Sequence, residues 1–367
     1  MTKKLTVVQM LPELESGGVE RGTLEIGKYL VDNGHRSIVI SGGGQMVEQL
    51  LEEGSEHINW EVGKKSLTTI RYIKKVKKFL QEIKPDVLHL RSRFPAWIGY
   101  LAWKKLPKND RPRLITTVHG PYTVGKYSRV MMRGERIIAV SNMIREYIIT
   151  NYPFVDPKKI EVIHRGVNTN EYSPEFSPTE AWKNQWFETF PQMKEKQLLT
   201  LPARLTRWKG QKDFIEIIRS LINTDQKIHG IIVGSAHPKK QEYENELRSI
   251  IRSSKLENDI TMVGHRTDLK EILSISSIVF SLSTEPEAFG RTTIEALSLG
   301  TPVIGYNHGG VKEQLEHLLP EGAIEAGNVD EAARKVRSWL QGPPATKNNQ
   351  SFTLNLLCSK TVSIYAG

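Results

Sequence analysis

Two cations, Arg204 and Lys209, lie five residues apart in Ala203-Arg204-Leu205-Thr206-Arg207-Trp208-Lys209-Gly210, directly after an apolar run at 198–202. A guanidinium grips phosphate as a bidentate fork and an ammonium adds a point charge, so the pair suits a diphosphate. A second segment, Glu285-Pro286-Glu287-Ala288-Phe289-Gly290-Arg291-Thr292-Thr293-Ile294-Glu295, carries two carboxylates eight residues apart, Glu287 and Glu295. Pro286 and Gly290 mark a loop, and 292–299 reads as the helix that enters it. Carboxylates there can accept hydrogen bonds from vicinal hydroxyls of a sugar or ribose, while N–H groups at the helix start hold phosphate oxygens. Two weaker signals stand in the first half. Gly17-Gly18-Val19-Glu20 opens a helix where small residues let the backbone approach an anion, although a plain tight turn explains it as well. His119 closes the run 114–118, where an imidazole can exchange a hydrogen bond with a substrate hydroxyl or serve a structural role.

The elements that position these residues alternate regularly. Apolar runs at 5–10, 37–41, 87–90, 114–118, 137–140 and 160–163 are rich in β-branched residues, as parallel strands buried on both faces must be. Helical patterns at 19–33 and 142–151 lie between them. The alternation breaks in 172–197, which holds Pro174, Pro178, Trp182, Trp186 and Phe187 without a clean period. It resumes at 198–202, 230–233, 260–263, 278–282 and 302–304. The pattern predicts an α/β protein of two doubly wound domains, 1–170 and 198–350, with 171–197 as a linker region. Ligands of such folds bind outside the carboxyl ends of the strands, here in a cleft that both domains face.

The net charge of +10, from 51 basic and 41 acidic residues, is one-sided. Residues 1–165 carry 28 basic against 17 acidic side chains, whereas 166–367 carry 23 against 24. The densest stretch, 69–84, sets Arg71, Lys74, Lys75, Lys77, Lys78 and Lys84 against Glu82 alone, with Ile70, Ile73, Val76, Leu80 and Ile83 at helical spacing. This is a basic amphipathic helix, either a solvated face or a surface for anionic lipid. Nucleic acid is disfavoured, because no helix-turn-helix, zinc-finger or RNA-recognition signature is present. One cysteine, Cys358, excludes a disulfide scaffold and a Cys-based zinc site. No run reaches the roughly 18–20 apolar residues of a membrane span, and the start reads as a strand rather than a signal peptide. A cytoplasmic protein is expected.

Taken together, these residues resemble the retaining GT-B glycosyltransferases of family 4, over nearly the whole chain. Arg204…Lys209-Gly210 and Glu287-x7-Glu295, with Phe289-Gly290 inside, are the most specific parts. The resemblance implies two Rossmann-like domains, the first binding an acceptor and the second a nucleotide-sugar donor. It implies that Arg204 and Lys209 hold the donor diphosphate, that Glu295 binds the ribose and that Glu287 contacts the transferred sugar. Phe289 and Gly290 would offer backbone N–H groups, flanked by Ala288 and Arg291. Gly17 and Gly18 would approach the phosphates, His119 the donor sugar, and Gly264, His265 and Arg266 the base. Glu287, His119, Arg204 and Lys209 are thus the expected catalytic set, with no metal and no cofactor. The implied mechanism is front-face attack by an acceptor hydroxyl, with the leaving phosphate taking its proton.

Relatives often carry Asn-Gly-Val-Asp where this chain has Arg165-Gly166-Val167-Asn168. Such folds also return a C-terminal helix, here near 352–367, to the first domain. Arg91, Arg93, Trp97, Tyr122 and Arg165 supply cations and aromatics suited to an anionic sugar acceptor, as in bacterial members that build lipopolysaccharide and surface glycans. The expected acceptor is therefore a glycolipid or oligosaccharide at the inner membrane face, reached through Arg71, Lys74, Lys75, Lys77 and Lys78. A soluble acceptor, or nucleotide-sugar binding without transfer, are the alternatives. A dehydrogenase is poorly supported, since no G-x-G-x-x-G is present.

Overall fold

Nearly continuous β-branched runs form parallel strands, and the structure, a computed structural model describing residues 3–222, 227–237 and 241–367, contains two such sheets. The first holds β1 (Thr6–Met10), β2 (Arg36–Ser41), β3 (Glu56–Asn59), β4 (Val87–Leu90), β5 (Arg113–Val118), β6 (Arg136–Ala139) and β7 (Ile160–Val162). Its order is β3-β2-β1-β4-β5-β6-β7. The second holds β8 (Gln197–Pro202), β9 (Ile228–Val233), β10 (Ile260–Gly264), β11 (Ile278–Ser281), β12 (Val303–Tyr306) and β13 (Ala323–Ile324), ordered β10-β9-β8-β11-β12-β13. Every expected strand is present. β3 and β13 were not expected, because β3 is an edge strand with no fully buried residue and β13 has two residues.

In both sheets the chain builds outward on one side of the first strand and then crosses to the other. The strand order therefore reverses between β1 and β4, and again between β8 and β11. Loops leaving the carboxyl ends of those strand pairs diverge and leave room for a ligand.

The chain divides into one unit of Met1–Arg165 with Leu354–Gly367 and a second of Gly166–Thr353. Residues 171–197 are therefore not a linker. The helix Glu180–Thr189 sets Trp186 into a cluster with Met193, Leu198, Ile231, Val233 and Ile272 of the second unit. Trp182 stacks on Trp186 with centroids 5.2 Å apart, and Phe190 packs at 4.6 Å. The second unit also begins at Gly166, ahead of the expected end of the first domain at 170.

The closing helix, Leu354–Ala366, belongs to the first unit, where Leu357, Cys358 and Tyr365 pack on Leu5, Ile26, Leu30, Val87 and Ile115. The Tyr365 hydroxyl lies 2.7 Å from His89 Nδ1, and His89 Nε2 lies 2.7 Å from Thr117 Oγ1. Burial pushes the Cys358 thiol up to about 12, so it is no nucleophile at neutral pH. The helix Arg71–Ile83 buries Ile73, Val76 and Leu80 and turns Arg71, Lys74, Lys75 and Lys78 outward. Among the described residues, no helix is long and apolar enough to cross a membrane.

Candidate functional site

In the second unit the reversal falls between β8 and β11, and the two expected motifs are the loops that leave these strands. After β8, residues 203–210 turn into the helix Gln211–Leu221 through Gly210, whose φ of +74° favours glycine. A Cβ there would also lie 2.0 Å from the Leu282 carbonyl oxygen, so glycine lets the two loops approach backbone to backbone. Thr284 N donates to the Trp208 carbonyl at 2.8 Å and ties them again. Lys209 Nζ then reaches Glu287 Oε1 at 2.7 Å, and Ser283 Oγ donates to the same carboxylate oxygen.

The pair is largely shielded, with side-chain exposures of 12% and 18%. Lys209 also sits 4.3 Å from the centre of the Trp208 ring. Burial lowers the pKa of its ammonium, the Glu287 carboxylate opposes that, and the charge of Arg204 adds to the lowering. Arg204 itself is exposed, and its carbonyl accepts from Gln211 Nε2 at 2.9 Å, which fixes the loop beneath it.

The carboxylate loop is backed by the helix Gly309–Leu318. Gly310 N donates to the Glu287 carbonyl at 2.8 Å, Gln314 Nε2 donates to the Phe289 carbonyl, and His308 Nε2 meets the Ser283 carbonyl at 2.8 Å. Phe289 is buried against Phe352, so it anchors the loop by its ring. Gly290 precedes the helix Arg291–Ser298, in which Arg291 and Glu295 pair at 3.6 Å. Glu295 is only 4% exposed. Ser283, Gln314 and Trp208 are site residues that the motif reading missed; Ser283 and Trp208 lie within or beside the motifs, while Gln314 had no local signal.

Gly264, His265 and Arg266 follow β10. Arg266 grips Asp268 bidentately at 2.8 and 2.6 Å and lies over Trp186, and Trp182 Nε1 donates to Asp268 at 2.8 Å. Its guanidinium is thus engaged within the protein, and only His265 of the three presents an exposed side chain.

In the first unit, Gly17 caps the helix Gly18–Asp32 in extended backbone. His119 follows β5, and its Nδ1 lies 2.7 Å from Arg165 Nη2. Arg91 donates to Gln9 at 3.0 Å. Arg91 and Arg165 are 3% and 7% exposed, so neither offers a free guanidinium to a bulky acceptor as expected. Arg93, Trp97 and Tyr122 do form a half-exposed cluster. Arg93 lies 4.8 Å from the Tyr122 ring and 5.3 Å from that of Tyr127, and Trp97 Nε1 donates to the Tyr127 carbonyl at 2.8 Å.

The family model for glycosyltransferase family 4 matches residues 16–171, and the model for glycosyl transferases group 1 matches 183–353. A glycosyltransferase from Rickettsia africae is 31% identical, with a TM-score of 0.85 over 99% of this chain and 98% of that one. Anabaena HepE in complex with UDP-glucose has the same fold, at a TM-score of 0.81 and 21% identity over 98% of this chain and 99% of that one. The lipopolysaccharide core biosynthesis mannosyltransferase LpsB of Rhizobium meliloti is 24% identical over 200 residues, 54% of this chain and 52% of that protein. The chain spans about half the length of such curated relatives, 47% of another.

Proposed function

The chain belongs to the GT-B glycosyltransferases of family 4, and from that premise we propose that it moves a sugar from a nucleotide-diphosphate sugar to a lipid-linked or surface-glycan acceptor. The observation that carries this is the Lys209–Glu287 pair at the strand reversal of the second unit, with Arg204 exposed beside it. In this reading Arg204 and Lys209 hold the diphosphate and neutralise charge on the leaving group, without a metal. Glu287 accepts from hydroxyls of the transferred sugar, and the Phe289–Gly290 backbone meets the donor. Glu295 serves the ribose, and His119 donates to a substrate oxygen. The acceptor hydroxyl forms the new glycosidic bond as the sugar–phosphate bond breaks, with retention, and its proton passes to the leaving phosphate.

Binding of UDP-glucose by HepE supports testing uridine donors first. We expect one nucleotide sugar of a UDP, GDP and ADP panel to raise the melting temperature, with stabilisation of about 2.7 kcal/mol at 100 times its Kd. The same donor should label a lipid or glycan acceptor. A chain that no nucleotide sugar stabilises, and that turns none over, would not be this enzyme.

The exposed basic face of the Arg71–Ile83 helix supports a peripheral position at an anionic inner membrane face. Each basic group near such a surface is worth about 1 kcal/mol, so Lys74→Gln/Lys75→Gln/Lys78→Gln should weaken binding to phosphatidylglycerol vesicles about a hundredfold. Sedimentation with vesicles reads this directly. Equal binding by both proteins would remove the membrane part and favour a soluble acceptor.

A further inference from the structure

We propose that Arg165 is a positioning residue that fixes His119 as the Nε2–H tautomer, so that the imidazole meets substrate as a neutral hydrogen-bond donor. The inference rests on the reading that His119 touches substrate. Its first support is the 2.7 Å contact between Arg165 Nη2 and His119 Nδ1. A guanidinium has donors and no acceptor, so Nδ1 must be the acceptor. A neutral imidazole whose Nδ1 lone pair is taken carries its proton on Nε2. That Nε2 is buried and has no hydrogen-bond partner among the described residues. A buried donor without a partner is costly, and at a strand's carboxyl end a ligand oxygen would satisfy it.

The ring is held from several sides. His119 N is 3.3 Å from the Tyr122 hydroxyl, which anchors the backbone just beyond β5. Arg165 follows β7, Arg91 follows β4, and His89 lies within β4. Burial first, then Arg165, Arg91 and His89, holds the imidazole well below its ordinary range. Glu20 and Glu25, on the helix Gly18–Asp32, act on Arg91 rather than restoring a proton to His119. A histidine so depressed is uncharged throughout the neutral range and protonates only in more acid solution.

Arg165 reaches His119 because residue 22 is glycine. A Cβ on Gly22 would lie 2.1 Å from Arg165 Nη1 and 3.1 Å from Arg91 Nη2. Gly22→Ala therefore displaces the flexible guanidinium without removing it.

Nitrogen-15 imidazole spectra of the full chain, from about pH 5.5 to 8, test the proposal. Wild type should show a neutral Nε2–H ring throughout. Arg165→Met and Gly22→Ala should both show tautomer exchange, with protonation beginning at higher pH. The acid limb of kcat/KM should move up with it. Arg165→Lys should restore the wild-type tautomer, because an ammonium also only donates. An Nδ1–H ring in wild type, or spectra and acid limbs unchanged in both Arg165→Met and Gly22→Ala, would overturn the proposal. His119→Ala separates the premise: full transfer by that variant would remove His119 from the reaction while leaving the tautomer assignment standing.

Discussion

Lys209→Met is expected to lower kcat by about 100- to 1,000-fold, the loss typical of removing one preorganised donor from a developing anion. Methionine keeps the length and apolar stem of the side chain and removes the ammonium that pairs with Glu287 and lies over Trp208. The variant also leaves Glu287, at 18% side-chain exposure, without its counter-charge. Removing one partner of a fully buried pair costs about 3–5 kcal/mol, and partial solvent access brings this one to about 1–3 kcal/mol. Glu287→Gln should be milder in stability, since an amide oxygen can still accept from Ser283. The double variant should be more stable than Lys209→Met alone, because it strands no charge. Steady-state kinetics and denaturant melts of the four proteins complete the cycle. A Lys209→Met enzyme with wild-type kcat would exclude an ammonium role at the leaving group.

The two loop motifs of the second unit were legible because each is a short segment leaving one strand, and β8 and β11 happen to be neighbours. Strand period sufficed to put each motif in a loop at a strand's carboxyl end, and the strand order brings Lys209 to Glu287. Their direct pairing was not legible, since it depends on two loops closing through Gly210 and Thr284. Arg91 shows the opposite failure. Its position after β4 was read correctly, but residue type cannot say whether a cation at a strand end faces solvent or, as here, Gln9 inside the unit. For Arg266 a signal was present, as Asp268 stands two residues on and takes both arms of the guanidinium. The segment 171–197 was misread for a similar reason. Trp182, Trp186 and Phe190 recur every fourth residue and define a buried helix face, but Phe187 obscured that period. The helix that backs the site, through Gly310 on Glu287 and Gln314 on Phe289, left no local trace.

That backing carries a prediction whose sign runs against helix propensity. Alanine for glycine inside a helix ordinarily stabilises by about 0.5–1 kcal/mol. Gly310→Ala, in the first turn of Gly309–Leu318, should instead destabilise by about 1–3 kcal/mol, as overpacking does. Its Cβ would lie 2.3 Å from Phe289 Cα, 2.7 Å from the Phe289 carbonyl oxygen and 2.9 Å from that of Ala288. All three are backbone atoms, which no rotamer change can clear, so helix and loop must separate. Separation breaks the 2.8 Å bond from Gly310 N to the Glu287 carbonyl and loosens the Gln314 contact with Phe289. Glu287 would then shift against Lys209, and a displacement of about 1 Å in such a site can cost about 100-fold in rate. Gly342→Ala, whose added Cβ meets nothing within 4 Å, is the control and should match wild type in both respects. Thermal melts and transfer assays on the two variants decide the matter. If Gly310→Ala proves as stable and as active as the control, the helix does not set the position of Glu287.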